Sequence, residues 1–267
     1  MWPHFHCFTF AEYHRQSDPS QAPFVQLLNF LRLNKPTEEQ LKSSEFKILH
    51  DRILPSGQEA DIGPDDVIIA PTNDLVDQYN NSQVLKFHDH ASIVTLKAHD
   101  TYSKMNLLSV ADQAKLKKRL HNKSDLPAEL PIAVGCPIMI TRNQKYSGLA
   151  NGDTGIVASV SQDKLVIERV VDGQVKTISV GREYECVRAG STSIERYMFP
   201  VRLAYARTVY KVQGETITGK LFVHVEGIET PGEAYVAFSR PTHLSNVTIL
   251  PAGVTLIPSM FAPHVPA

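Results

Sequence analysis

No stretch of this 267-residue chain approaches the roughly 18 consecutive apolar residues that a membrane-spanning helix requires. The opening MWPHFHCFTF has no basic segment and no small-residue cleavage site, which predicts no secretory signal. Cysteine is scarce. Cys7, Cys136 and Cys186 stand far apart and match no metal or disulfide framework, so they read as buried or incidental thiols in a reducing compartment. Positive charge is not in excess either. Lys and Arg number 27 against 28 Asp and Glu, a net −1, so the chain as a whole exerts no pull on a polyanion and any such contact must be local. The basic run KLKKRLHNK (115–123) is read as a solvated helix face. Internal repeats and low-complexity tracts are also missing. What remains, 42% hydrophobic and 21% charged, suits one large globular domain or one domain carrying an insertion.

The first half of the chain alternates strands and helices. HFHCFTFAEYHRQ predicts a strand ending near Tyr13. APFVQLLNFLRL (22–33) places apolar residues at 24, 27, 28 and 31, which is helical spacing. Thr37 can cap a second short helix with Glu39 and Gln40 in its first turn. After turn residues at 54–66, VIIAPTN (67–73) predicts a buried strand entering the helix NDLVDQYNNSQVLKF, and ASIVTLKAHD (91–100) predicts another strand. That alternation indicates a parallel sheet in an α/β domain.

From about residue 126 the pattern changes. Short strands separated by Asn-Gly-Asp, Asp-Gly and Gly-rich turns predict antiparallel hairpins, enough for a compact barrel between two stretches of α/β pattern. The α/β pattern then resumes through FPVRLAYARTVYKVQGETI, KLFVHVEGI, EAYVAFSR and NVTILPA. The expected boundaries are 1–125, 126–195, 196–255 and a Pro- and Ala-containing tail at 256–267 that reads as a frayed end.

Two segments carry the chemistry. ARTVYKVQGETI (206–217) runs from a strand into a turn whose Gly214 permits close approach of a ligand, with Thr208, Lys211 and Gln213 around it. GEAYVAFSR (232–240) ends a small-residue helix on Arg240, a permanently charged fork suited to stabilising charge on a transferring phosphoryl group. TVYKVQG and YVAFSR resemble motifs V and VI of superfamily-one DNA helicases of the RecD-like and Pif-type branch. The resemblance extends over about residues 5–252. FTFAEYHRQSDPSQAPFVQLLNFLR is similar to motif IV, APTNDLVDQYN to a strand-contacting turn, and GCPIMITRN with SGLANGDTGIV to a small inserted barrel.

The resemblance implies a fold and a set of roles. The fold would be α/β: a RecA-like parallel-sheet domain, the second of its type, lacking the phosphate loop and carrying an inserted SH3-like β-barrel. Arg15 would reach the γ-phosphate and Arg240 would act as the arginine finger. Gln213 and Gly214 would line the ATP side of a cleft, and Tyr235 and Ser239 would position the finger. Thr208 and Lys211 would face DNA phosphates, and Thr72 and Asn73 the backbone of single-stranded DNA, although both are also apt helix-capping residues. The branch implies 5′-to-3′ movement and a DNA-containing compartment such as the nucleus. Two departures are evident. Tyr210 stands where the family has His. Thr216 occupies the place of a glutamate that meets the ribose in several relatives, with Glu215 one residue early, so that contact is not carried over.

GETITGKL (214–221) has phosphate-loop spacing, but Leu221 stands where a Ser or Thr must reach Mg²⁺, and Lys220 leads into an apolar strand where a helix is needed. ATP and Mg²⁺ would therefore be held with the help of a separate N-terminal RecA-like helicase domain, and the chain alone is expected to lack ATPase activity. His88, His90 and His99 with Asp89 and Asp100 read as solvent-facing polarity, and no metal site is assigned. The competing reading is a truncated or degenerate remnant, of Helitron-type transposon origin, that at most binds DNA. A bare β-barrel interaction module is a third, and it leaves the flanking α/β motifs unexplained.

Overall fold

The computed structural model describes residues 14–264. The strand expected to end near Tyr13, and Cys7 within it, lie outside the described residues. The chain divides into two compact units, one formed by the chain up to Asn73 together with everything from Arg207 onward, the other by Asp74–Ala206. No helix among the described residues is long and apolar enough to cross a membrane.

In chain order, the helix α1 (Ala22–Leu33) follows a single 3-10 turn that Asp18 caps by accepting from the Ser20 amide at 2.8 Å. Its residues Phe24, Leu27, Leu28 and Leu31 are all buried, as their spacing predicts. In α2 (Glu38–Leu41), Thr37 Oγ1 accepts from the Gln40 amide at 3.1 Å while Gln40 Oε1 accepts from the Thr37 amide at 2.9 Å, a reciprocal capping box. Next come α3 (Ser44–His50), β1 (Val67–Ala70) and α4 (Asn73–Phe87). These are followed by β2 (Val94–Lys97), β3 (His99–Ser103), α5 (Val110–Lys123), β4 (Glu129–Ile132) and β5 (Pro137–Ile140). The hairpin strands are β6 (Thr154–Val160), β7 (Leu165–Val171), β8 (Gln174–Val180), β9 (Glu183–Ala189) and β10 (Thr192–Met198). The chain ends with β11 (Val201–Leu203), β12 (Ala206–Thr208), β13 (Leu221–His224), α6 (Glu233–Phe238) and β14 (Val247–Leu250).

The first unit is built on a four-stranded sheet of order β12-β1-β13-β14. β13 runs parallel to both its neighbours, with Val67 opposite Leu221 and Leu221 opposite Val247. All four residues of β13 are buried, and three of four in β1, so these strands read as continuous apolar runs rather than alternating ones. Their core joins side chains of α1, α3 and α6, including Phe24, Leu31, Phe46, Leu49, Val223 and Phe238. Phe30 and Phe46 meet edge to face, with ring centroids 6.0 Å apart.

The second unit corrects one expectation. The strand at 91–100 does not join the parallel sheet. It splits into β2, antiparallel to β4, and β3, antiparallel to β10. A buried apolar run fixes strand character but not the partner, which the neighbouring elements decide. The compact unit runs from 74 to 206, taking in elements that precede the hairpins. The reason is packing: Val84 of α4 and Leu96 of β2 enter the same core as Ile138, Val157 and Leu165, and Leu116 and Leu120 of α5 pack on Ile194. Asp100 and Arg196 add a two-pronged pair at 2.8 and 2.7 Å across β3 and β10.

Antiparallel hairpins do form where the turn chemistry places them. β5 to β8 and β11 make a five-stranded sheet of order β11-β5-β6-β7-β8. The β7–β8 hairpin turns on Asp172 and Gly173, both at positive φ (53° and 75°), which gives the twist a two-residue turn needs. The basic run on α5 lies as expected, with Lys115, Lys117, Lys118 and Arg119 exposed around buried Leu116 and Leu120.

Leu49 is fully buried, and Leu49→Ala should cost about 2–5 kcal/mol by leaving a cavity. Thr37→Ala, which removes only the cap, should cost about 1 kcal/mol. Chemical denaturation of the two variants checks both, and equal unfolding midpoints would contradict this packing.

Candidate functional site

All the candidate residues named from the sequence fall in the first unit. After β12, Thr208 leads into a 3-10 turn at Val209–Val212, whose Val209 and Val212 are buried while Tyr210 and Lys211 face outward. Gln213 and Gly214 follow, both exposed. Gly214 adopts φ +86°, while a Cβ there would meet nothing within 4 Å, so backbone conformation and not lack of space demands glycine. Across from this turn, α6 delivers buried Ser239 and half-buried Arg240, and Ile217 forms a parallel bridge to Pro241.

Arg240 is held on three sides. Its Nε donates to Val236 O at 2.9 Å, its Nη2 to Ser239 Oγ at 2.7 Å and its Nη1 to Glu215 O at 3.4 Å. Ser239 Oγ in turn donates to Val236 O at 3.0 Å. Arg15 arrives from the other end of the sequence, donating from Nη1 to Ser239 O and from Nε to Thr216 Oγ1, each at 3.0 Å. Burial, and then the positive charge of Arg15, push the pKa of Arg240 below the usual arginine range. Two guanidinium groups thus share one small region, held by neutral oxygens. An anion placed against both would relieve their repulsion, and planar guanidinium forks match the geometry of phosphate oxygens.

A second pair stabilises the turn. Arg207, buried in β12, donates from Nη1 to both Glu215 oxygens, at 2.6 and 2.7 Å. Both oxygens of Glu215 are therefore engaged by a cation, so this carboxylate is poorly suited to a metal. The site offers cations to phosphate and leaves any Mg²⁺ to be held by other groups.

The remaining assignments separate in space. Thr72 immediately precedes α4 and Asn73 opens it, at the C-terminal end of β1. The arginine cluster instead lies beside Ile217 and Pro241, upstream of β13 and β14. Because these strands are parallel and in register, the two groups occupy opposite ends of the sheet. Tyr235 packs against the core and accepts the Ser239 amide on its carbonyl at 2.9 Å. Sequence reading overlooked Gln16, Arg207 and the present roles of Glu215 and Thr216. Only the adjacency of Gln16 to Arg15 hinted at the first, and nothing local pairs Arg207 with Glu215.

The phosphate-loop look-alike at 214–221 passes directly into β13, with Lys220 O accepting the Val67 amide at 3.1 Å, and offers no helix N-terminus. Among the His and Asp residues at 88–100, Asp100 is occupied by Arg196, and His88 Nε2 lies 3.1 Å from Tyr205 OH and 3.4 Å from Cys136 Sγ, so these two are engaged within the protein and not solvent-facing. Among the described residues no cluster of three His, Cys, Asp or Glu side chains could hold a metal ion.

No model of an established protein family matches the chain. Individual proteins do. The ATP-dependent DNA helicase Pif1 of Bdellovibrio bacteriovorus is 28% identical over 123 residues, 45% of this chain and 27% of that protein. The ATP-dependent DNA helicase PIF1 of Danio rerio is 26% identical over 247 residues, 90% of this chain and 34% of that protein. The crystal structure of Candida albicans Pif1 helicase aligns with a TM-score of 0.69 at 20% identity, covering 95% of this chain and 57% of that one. The chain resembles Pif1-type superfamily-one helicases over most of its length. A Bacteroides Pif1 crystallised with ADP-AlF3 and single-stranded DNA aligns equally well, with a TM-score of 0.69 at 21% identity over 97% of this chain and 55% of that one. The fold is therefore that of the Pif1 RecA-like region with its parallel sheet. The chain spans between 16% and 34% of the length of the curated relatives it matches and somewhat over half of the solved chains.

The Arg207–Glu215 pair gives a direct test of the turn. Glu215→Ala strands the Arg207 charge and should cost about 2 kcal/mol, less than a fully buried pair because Glu215 keeps some solvent. The apolar double variant Arg207→Met/Glu215→Leu should recover most of that loss in denaturant unfolding. A double variant less stable than Glu215→Ala would refute this role.

Proposed function

We propose that this chain is the C-terminal part of an ATP-dependent DNA helicase, contributing an arginine finger and single-stranded DNA contacts to ATP-driven translocation and unwinding with 5′-to-3′ polarity. The supporting observation is the meeting of Arg15 and Arg240 on Ser239, beside the Gln213–Thr216 turn. Arg240 is the finger and Arg15 its partner at the γ-phosphate. Ser239 and Tyr235 position the finger, and Gln213 and Gly214 line the nucleotide side. Thr208 and Lys211 face DNA phosphates, with Thr72 and Asn73 on the single strand. Residues 126–195 include the SH3-like barrel, inserted in a second RecA-like domain. The setting is a DNA-containing compartment.

The chemistry follows from what the arginines now touch. Their partners are neutral carbonyl and hydroxyl oxygens, which are weaker acceptors than a phosphate bearing negative charge. When a triphosphate is presented, the forks can exchange these partners for phosphate oxygens, stabilising charge that spreads over the transferring group. ATP would supply the phosphoryl group, transferred to water with ADP leaving, and Mg²⁺ held by a phosphate-loop domain would supply further positive charge beside that of Arg15 and Arg240. The energy of that exchange favours closure around ATP, and hydrolysis removes it. Alternating closure and opening moves the protein along the strand.

Single-stranded DNA binding and DNA-stimulated ATPase should be measured for the chain alone and mixed with a phosphate-loop half from a Pif1 relative. ATPase should appear only in the mixture and fall on the order of 10³-fold with Arg240→Ala. If the folded chain neither binds DNA nor complements, the helicase reading fails and the resemblance marks ancestry alone, as in a transposon-derived remnant.

A further inference from the structure

Gln16 is 8% exposed, and its Nε2 donates to Pro241 O at 2.7 Å and to Ser239 O at 3.3 Å. These two carbonyls flank Arg240. Ile217 grips the same segment independently, its amide donating to Arg240 O at 3.0 Å and its carbonyl accepting the Thr242 amide at 3.1 Å. The backbone bearing Arg240 is thus held from two directions. A long side chain is placed no better than the backbone that carries it. Arg15, the residue next to Gln16, donates to the same Ser239 carbonyl. One anchor therefore fixes the origin of both forks.

An amide suits this place on electrostatic grounds. It donates to two carbonyls without bringing a third positive charge beside Arg15 and Arg240. A carboxylate would turn oxygen lone pairs toward carbonyl oxygens. If Gln16 merely secured the chain to the core, bonds to any nearby carbonyl would serve, whereas the bonds made are to the residues on either side of Arg240.

We infer that Gln16 is a positioning residue that sets the spacing of Arg15 and Arg240, an inference that rests on the helicase reading of those arginines. Gln16→Leu and the near-isosteric Gln16→Met remove the donors and keep most of the volume. In the full chain mixed with the phosphate-loop half, each should lower kcat for ATP hydrolysis on the order of 10-fold, since small misplacements of a catalytic group cost rates of this size or more. KM for ATP should stay within about twofold, and unfolding curves should show both variants folded. In an Arg240→Ala background, Gln16→Met should cost clearly less than its full factor, because only Arg15 of the two groups it positions remains. A full multiplicative loss in that background overturns the inference, as does loss of folding in both variants, which would assign Gln16 to fold stability. If Arg240→Ala alone leaves ATPase unchanged, the underlying reading of the site fails first, so the two failures are distinguishable.

Discussion

Parallel pairing of β1, β13 and β14 is the constraint on which the first unit depends. It sets Val67 beside Leu221 and Leu221 beside Val247, although a complete second unit is threaded between the first two. Loop-closure entropy grows only slowly with the length enclosed, so a long insertion is tolerated once the strands bury their side chains. β13, buried at all four positions, supplies that burial. The same register decides which loops share an end of the sheet. Residues 213–217 and 239–242 come together ahead of β13 and β14, and Thr72 and Asn73 emerge beyond β1.

Burial, and after it the neighbouring Arg15 charge, lower the pKa of Arg240, so keeping two charged arginines in one small region has an electrostatic cost. The fold accommodates it with main-chain oxygens. Carbonyls of Val236, Ser239 and Glu215 all accept from the two side chains. Carbonyls at the end of a helix carry the negative end of its dipole, so α6 is a natural host for cations at its C-terminus. Arg207 and Glu215 then stiffen the turn through a pair whose charges cancel.

The second unit has cores of its own and is organised differently. Its sheets are antiparallel meanders and hairpins, closed by turns such as Asp172–Gly173, and joined by elements that precede the hairpins in sequence. Arg196 shows how far this integration goes. Its guanidinium bonds Asp100 of β3 and also Leu126 O, tying three stretches of chain together, and the Asp100 carboxylate raises its pKa.

Local physics made part of this legible. The 24, 27, 28, 31 spacing specified the buried face of α1, Thr37 and Gln40 specified a cap, and Asp-Gly specified a hairpin, because each signal acts within a few residues. Arg240 and Arg15 stood out through the motifs around them. Other features had no local signal. The run at 91–100 is equally compatible with parallel or antiparallel partners, and only the pairing with β4 and β10, far along the chain, settles it. Gln16 meeting Ser239 and Pro241, and Arg207 meeting Glu215 from a buried strand, arise from where the sheet register puts separate segments. The sequence by itself determined the helices, turns and charged groups. Tertiary structure alone decided which of those groups face one another, because contact between distant residues is fixed by burial and strand register, which no short stretch of chain contains.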